Sequence, residues 1–327
     1  MLTAKKSINK NTFMNDQAII IINPACHQGR GWKRWLSIKK DVLQTFQCPV
    51  NEYVLEKGVE IGTVLPGFIN PEKKNYLISA GGDGSIHYLA NALLKKPAYN
   101  LDNIILGAIG LGSSNDFLKP FHQKLKDIPV RINYRGSYQE HDAGLAKYIN
   151  SANLASEKYF IVNASVGLTA TANHSFNNPG KTLQFLKSNF TSGAITYTAI
   201  STLLQYSNLP CRLTFNCTDT YFDVSNINLL KIPYIAGSFW YRQDIRVDDG
   251  KFGLNICSSM NKKKLLNTLI KLGYGIFVPG KNKISVLTDS LKISPGKPVI
   301  LECDGETERA SDIYFSLLPR ALKILVS

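Results

Sequence analysis

The sequence predicts an α/β plus β chain: an N-terminal doubly wound parallel-sheet domain, then an antiparallel β-sandwich-like domain that carries a helix. Two observations carry this. Roughly the first 130 residues alternate short apolar runs with amphipathic segments, the pattern of a parallel sheet with helices on both faces. Beyond residue 137 the texture changes to short β-rich runs separated by turn residues, the pattern of an antiparallel sandwich.

The elements follow in order. "AIIIINPA" reads as a buried strand, and "RGWKRWLSIKKDVLQTF" places Trp32, Trp35, Leu36, Ile38, Val42 and Leu43 at mostly helical spacing. "VNEYVLE" is a second strand and "GTVLPGFIN" a short or broken helix. "NYLISA" is a third strand, followed by "SIHYLANALLKK", whose apolar residues recur at i, i+3, i+4 and i+7. "NIILGAIG" is a fourth strand, and "SSNDFLKPF" is expected to open the next helix. In the second half, "KYFIVNASVG", "CRLTFNC", "YFDVSNINLLKIPYIAG", "FGLNICSS", "KISVLTDSLKISP" and "KPVILECDGE" read as strands. An amphipathic stretch at 182–206 interrupts them, and the apolar "IYFSLLPRALKILVS" returns to the first domain. The expected division is 1–137 plus about 311–327 for the first domain and 138–310 for the second.

Composition narrows the classes. The chain has 327 residues, 44% hydrophobic and 19% charged, as in ordinary globular proteins and not disordered ones. No apolar run is long enough to span a bilayer. The N-terminal "MLTAKKSINKNTFMNDQ" has lysines but no apolar h-region, so it reads as a loose leader and not a secretory signal. Six cysteines without CxxC spacing argue against a zinc ribbon or a disulfide framework and fit a reducing cytosol. A net charge of +14 favours polyanions, nucleotides or an anionic membrane. The basic residues are dispersed, without aromatic spacing, so nucleic acid is not the expected partner.

Three strand-to-helix turns are rich in glycine: "NPACHQGRG" (23–31), "GGDGS" (81–85) and "GLGSSND" (110–116). In a parallel sheet such turns lie together at the carboxyl edge, where ligands bind. Glycine lets backbone N–H groups approach an anion, and the following helix adds its N-terminal amides. GxxxxGK[ST] is absent and GxGxxG is incomplete. Three such turns on consecutive units point to a nucleotide's phosphates. Asp83, a carboxylate beside that cradle, calls for Mg²⁺ or a ribose hydroxyl, or else caps its own helix.

Taken together, the turns resemble the diacylglycerol kinase catalytic domain superfamily, which includes bacterial lipid kinases and the sphingosine and ceramide kinases. "GGDGSIHYLANAL" is similar to its GGDGT signature, "INPACHQGRG" to its N-P-x-(S/A)-G opening, and "LGAIGLGSSNDFLK" to its L-G-x-x-P-x-G-T-x-N-D-F stretch. "HDAGL", "YFIVNASVGLTATA", "VDDGKFGLNI" and "CDGE" resemble later motifs in the family's order. The resemblance implies a nucleotide-binding domain and an active site in the interdomain cleft. It also implies an ATP- and Mg²⁺-dependent kinase of diacylglycerol or a related lipid alcohol. Gly82, Asp83, Gly84 and Ser85, with Gly112, Ser113 and Asn115, would line the nucleotide phosphates, and Asn23 and Gly31 would support the first turn. Asp304 would be the general base and Glu306 would assist near the metal. Asp83, Asp116 and Asp142 would belong to the polar network around the metal, and Asp248 and Asp249 match a turn that binds a structural Mg²⁺ in some relatives. The implied setting is cytoplasmic, peripheral to the inner membrane face, on an anionic surface; a homodimer is left open.

The chain departs from the family pattern in places. Gly110 stands for a proline, Ser113 and Ser85 for threonines, Tyr88 for a glutamate, Glu56 near an expected threonine, and Ser238 and Phe239 for a glycine pair. Lys147, Arg242 and Arg246 are candidates to complete a phosphate clamp. Two alternatives remain at this point: an NAD kinase-like enzyme, since NAD kinases also carry GGDG, and a non-catalytic nucleotide- or lipid-binding protein on the same fold.

Overall fold

A computed structural model describes residues 16–96, 99–180, 183–186 and 191–326, with the side chains of 191 and 192 left aside. The N-terminal leader, apart from Asp16 and Gln17, lies outside the described residues.

The first four strands are β1 (Asp16–Ile22), β2 (Val50–Val54), β3 (Lys74–Gly81) and β4 (Ile104–Gly110). They pair in parallel in the order β2-β1-β3-β4. Side chains alternate across the strands, and each face of β1 buries its set under different helices. Ala18, Ile20 and Ile22 pack with Trp35, Ile38 and Val42 of α1 (Gly31–Thr45). Ile19 and Ile21 pack with Ile61 of the short α2 (Ile61–Val64) and with Ile86, Leu89 and Leu93 of α3 (Asp83–Leu94). Helices on both faces make this half doubly wound.

One expected element is missing. After β4 the chain makes only a single 3₁₀ turn, Asp116–Leu118, and no helix. Pro120 follows directly and excludes helical backbone at the residue before it, while Asn115 enters the turn in the left-handed region, φ 53°.

The remaining strands are β5 (Lys124–Leu125), β6 (Ile128–Arg131), β7 (Tyr138–Asn150), β8 (Ala155–Phe160), β9 (Asn163–Gly167), β10 (Leu209–Phe215) and β11 (Thr218–Leu230). They continue with β12 (Tyr234–Ile235), β13 (Phe239–Trp240), β14 (Phe252–Ser258), β15 (Lys283–Thr288), β16 (Leu291–Pro295), β17 (Val299–Cys303) and β18 (Glu306–Leu325). Six of these close on themselves through antiparallel pairs, β18-β16-β10-β11-β9-β17 and back to β18. A closed sheet has no free edge, and its interior holds Phe160, Phe252, Phe315, Leu213 and Ile293.

Three helices lie outside this ring: α4 (Leu168–Asn177), α5 (Thr191–Gln205) and α6 (Lys262–Leu272). The two halves are stitched by β18. Its start pairs β17, its middle pairs β7, and Ile324 near its end pairs Leu106 of β4 in parallel.

Candidate active site

The tips of β3 and β4 touch. A Cβ on Gly112 would stand 2.5 Å from the Gly82 Cα, and one on Gly82 would stand 3.3 Å from the Gly112 Cα. Gly112 N–H also donates to the Gly81 carbonyl at 3.1 Å. These two glycines are bare first because the turns pack on one another, backbone to backbone. Gly112→Ala is therefore expected to cost about 1–3 kcal/mol through overpacking, because neither backbone can yield without parting the two turns. Denaturant unfolding of the variant checks it.

Asp83 is the first residue of α3, after an N-cap at Gly82 that forms no side-chain cap bond. Its carboxylate does not cap its own helix. It accepts from the N–H of Asp116 and of Phe117, both at 3.0 Å. The 3₁₀ turn thus spends these amides on Asp83, and the second and third turns are locked together by it. Asp116 in turn accepts from Lys119 Nζ at 2.7 Å and from the Gly237 N–H at 2.9 Å.

A polar cleft opens over these turns, with about 870 Å³ of empty space that includes open solvent. Five carboxyl groups line it: Asp83 and Asp116 from the first half, Glu302, Asp304 and Glu306 from the second. Gly82, Gly84, Gly112 and Ser113 complete the wall, and no lysine or arginine is among its described lining residues. Lys147, Arg242 and Arg246 are therefore not part of it. Arg242 lies over the Trp240 ring and Arg246 faces Asp248.

Asp304 has four hydrogen-bonding partners. Oδ1 accepts from the Val162 and Asn163 amides at 2.8 and 3.0 Å, and Oδ2 accepts from the Ile161 amide at 3.0 Å and meets His87 Nδ1 at 3.0 Å. Both Asp304 and His87 are buried. Glu306 Oε2 accepts from the Tyr88 hydroxyl at 2.8 Å. The departure at Tyr88 is thereby explained: a donor to Glu306 stands where the family pattern has a second carboxylate.

Glu302 was not legible as a site residue. It is buried, accepting from Ser165 Oγ and from the Gly305 N–H, each at 2.5 Å. Strand alternation could not mark it, because β17 ends at Cys303 and Asp304 lies in the turn beyond, at φ 50°.

Burial pushes the Asp83 carboxyl up to about 7, helped by the charge of Asp116 and opposed by the Phe117 and Asp116 amides. Burial likewise pushes Glu302 up to about 7, against the Ser165 hydroxyl and the Gly305 amide. A carboxyl whose folded pKa is raised contributes stability at low pH that is lost as pH rises through the folded value. The nucleotide-free protein is thus expected to lose stability as pH rises toward about 7, and Glu302→Gln to flatten that slope; thermal melts across this range measure it.

Positive charge is what such a cleft lacks. No three His, Cys, Asp or Glu side chains among the described residues form a closed metal cluster. Mg²⁺ characteristically takes one or two carboxylates and completes its shell with phosphate and water, so Asp83 and Glu306, flanking Gly84, fit it as ligands.

Other expected site residues stand elsewhere. Asn23 Nδ2 donates to Ser85 Oγ at 3.1 Å, and Ser85 packs back against Gly81. A Cβ on Gly31 would meet Cys26 Sγ at 2.4 Å and the Asn23 carbonyl at 2.8 Å. Asn115 donates to the Gly110 and Gly112 carbonyls. None of these four lines the cleft. Asn23, Gly31, Ser85 and Asn115 brace the turns from behind, and this corrects the expectation that Ser85 and Asn115 face the phosphates.

Asp142 and Asp249 form a separate cluster around Lys231, a residue missed in the sequence, while Asp248 faces Arg246. Lys231 is 1% exposed. Its Nζ donates to Asp142 Oδ2 at 3.0 Å and to the carbonyls of Arg246 at 3.0 Å and Lys251 at 2.8 Å, with Asp249 Oδ1 at 3.6 Å. An ammonium fills the space among these oxygens, so the turn does not fit a structural divalent ion. Burial raises the Asp142 carboxyl, but the Arg320 amide, Lys231 and the Gly250 amide outweigh it and hold the group below its usual value.

A second, apolar cavity joins the polar cleft, with about 1030 Å³ of empty space, part of it open. Ser113, Ser114, Thr169, Asn173, Ile235 and Ala236 line both. Deeper walls come from Leu168, Phe176, Ile195, Phe239, Leu265 and Leu272.

A family model described as the diacylglycerol kinase catalytic domain matches residues 17–144. A second, described as the YegS C-terminal NAD kinase beta sandwich-like domain, matches residues 163–326. Three crystal structures from Bacillus anthracis strain Sterne share the fold. One, provisionally assigned as a diacylglycerol kinase, has TM-score 0.70 at 16% identity, covering 96% of this chain and 97% of that one. A second, titled a diacylglycerol kinase, has TM-score 0.66 at 13% identity with the same coverage. A third, again provisionally assigned, has TM-score 0.69 at 15% identity over the same shares. At these identities the likeness is one of fold. A comparison with curated proteins finds no match.

Proposed function

Because this chain belongs to the family of diacylglycerol kinase catalytic domains joined to a YegS-type C-terminal domain, we propose that it transfers the terminal phosphoryl group of ATP to the hydroxyl of diacylglycerol or a related lipid alcohol. One observation carries the lipid part of this reading: the apolar cavity opens directly onto the carboxyl-lined cleft. An acyl chain in the first places its head-group hydroxyl in the second, with an apolar wall around the chain and a few polar groups at its head.

The nucleotide phosphates would lie over Gly82, Gly84, Gly112 and Ser113, at the N-terminus of α3, where the helix dipole and free amides favour an anion. Mg²⁺ bound by Asp83 and Glu306 would supply neutralising charge for the phosphates. Asp304 accepts the proton of the acceptor hydroxyl as its oxygen bonds to the γ-phosphorus and the bond to the β-bridging oxygen breaks. Oδ1 already accepts from two amides, so the proton goes to Oδ2, which faces the Ile161 amide and His87 Nδ1. With the ring proton on Nε2, Nδ1 carries a lone pair and accepts the hydrogen bond of the protonated Oδ2.

The test is transfer of γ-labelled phosphate from ATP, with Mg²⁺, to diacylglycerol, monoacylglycerol, sphingosine, ceramide and NAD. A labelled lipid is the expected product. Label in NAD alone, or ATP binding without transfer to any acceptor, overturns the reading.

A further inference from the structure

α5 contains no charged residue among its 15 positions. Its inner residues Ile195 and Ala199 line the apolar cavity, yet Tyr197, Ile200 and Leu204, at i, i+3 and i+7, face solvent, Leu204 at 60% exposure. α6 repeats the arrangement. Leu265, Thr268 and Leu272 turn inward to the cavity, while Leu266 and Ile270 are exposed, Ile270 at 56%. Tyr274, Ile276 and Val278 extend the outer face beyond the helix, Val278 at 67%. The helices adjoin, since Lys262 Nζ donates to the Leu204 carbonyl. A helix apolar on both sides belongs to a protein core or to a lipid phase, not to water.

Charge points to one kind of partner. Residues 250–288 hold seven lysines (251, 262, 263, 264, 271, 281 and 283) and no Asp or Glu. Lys262, Lys263 and Lys264 occupy the first turn of α6, where the helix dipole disfavours cations. No carboxylate among the described residues pairs with them. Lys262 and Lys264 meet only neutral oxygens, of Leu204 and Asn282, so a local rule broken without a neutralising partner suggests an external anion.

We propose that the outer face of α5 and α6, with the segment to Val278, docks on an anionic phospholipid bilayer. Leu204, Leu266, Ile270, Tyr274 and Val278 enter the acyl boundary, and the three lysines lie at head-group level. The inner faces of the same helices wall the apolar cavity, so a lipid passes from the leaflet to the cleft beneath this cover. The proposal rests on the lipid-kinase reading and locates its membrane surface.

Sedimentation with phosphatidylcholine vesicles, with and without phosphatidylglycerol, tests it. The expected result is binding that requires phosphatidylglycerol and falls with salt. Replacing Lys262, Lys263 and Lys264 by glutamine is expected to weaken binding on the order of a hundredfold. Leu266→Ser with Ile270→Ser is expected to abolish vesicle binding but leave phosphorylation of a short-chain diacylglycerol dispersed in detergent unchanged. Vesicle binding by the serine variant equal to wild type overturns the proposal, as does binding indifferent to phosphatidylglycerol. So does a wild-type dimer that the serine variant breaks, without vesicle binding. If wild type binds phosphatidylglycerol vesicles but labels no lipid, the kinase reading fails and the docking surface stands.

Discussion

Asp304→Asn is expected to lower turnover by on the order of 10²–10⁴, the usual worth of a positioned acid or base, with ATP binding retained. The geometry adds a second effect. An amide NH₂ in place of Oδ2 would face the Ile161 N–H, which lies 3.0 Å away. Two donors would then oppose each other in a buried site, at a cost of about 1–3 kcal/mol. Loss of turnover in this variant therefore needs a companion. His87→Ala leaves the three amides on Asp304 in place and removes only the ring. It is expected to lower kcat without changing the KM for ATP, because Oδ2 of Asp304 has lost the ring that faces it at 3.0 Å. Undiminished turnover in both variants would remove Asp304 from the chemistry.

Lys231→Met is expected to destabilise the fold by about 3–5 kcal/mol, the cost of leaving a buried charge without its counterion. Methionine keeps much of the volume, so the loss isolates the ammonium. Asp142 sits 1% exposed, and without Lys231 only the Gly250 and Arg320 amides remain on its oxygens. In wild type the depressed Asp142 value means stability that is present at neutral pH and lost as pH falls through the folded pKa. In the variant protonation relieves an uncompensated charge, so its deficit relative to wild type is expected to shrink in acid. Urea unfolding at neutral and acid pH measures both. Adding Asp142→Asn to Lys231→Met should recover part of the loss, since the two side chains are directly coupled. In wild type without nucleotide, chelating divalent ions should leave unfolding unchanged, because the Asp142–Asp249 site already holds its cation.

Parts of this machinery could be read locally. Alternation of apolar runs with amphipathic segments showed the parallel sheet, because strands buried on both faces between amphipathic helices leave that pattern in any sequence. The short-range motifs around Asp83, Asp116, Asp304 and Glu306 were visible too, and those four carboxyl groups do meet in one cleft. Ser85 and Asn115 misled because glycine-rich turns look alike whether a glycine makes room for a phosphate or for another backbone, while Gly31 supports the first turn as its motif implied. Gly82 and Gly112 are 30 residues apart in sequence, and nothing local states that they touch. The helix expected after β4 failed at Pro120, whose effect outweighed the apolar pattern around Phe117 and Leu118. Lys231 had a local signal, a lone charge inside the apolar run "NLLKIPYI", but its four oxygens come from two other segments, Asp142 and residues 246–251.

The sequence by itself determined the two kinds of sheet, the membership of the family and the carboxyl groups that converge, since each depends on residue types at short spacing. The tertiary structure alone decided what those groups touch. Asp83 is held by the amides of the neighbouring turn, Asp304 by three amides and His87, and Lys231 takes the place of a metal at the turn after Asp248. Hydrogen bonds and steric contacts act over about 3 Å in space, whatever the separation along the chain, so partners 33 to 217 residues apart are set by the fold and carry no local pattern.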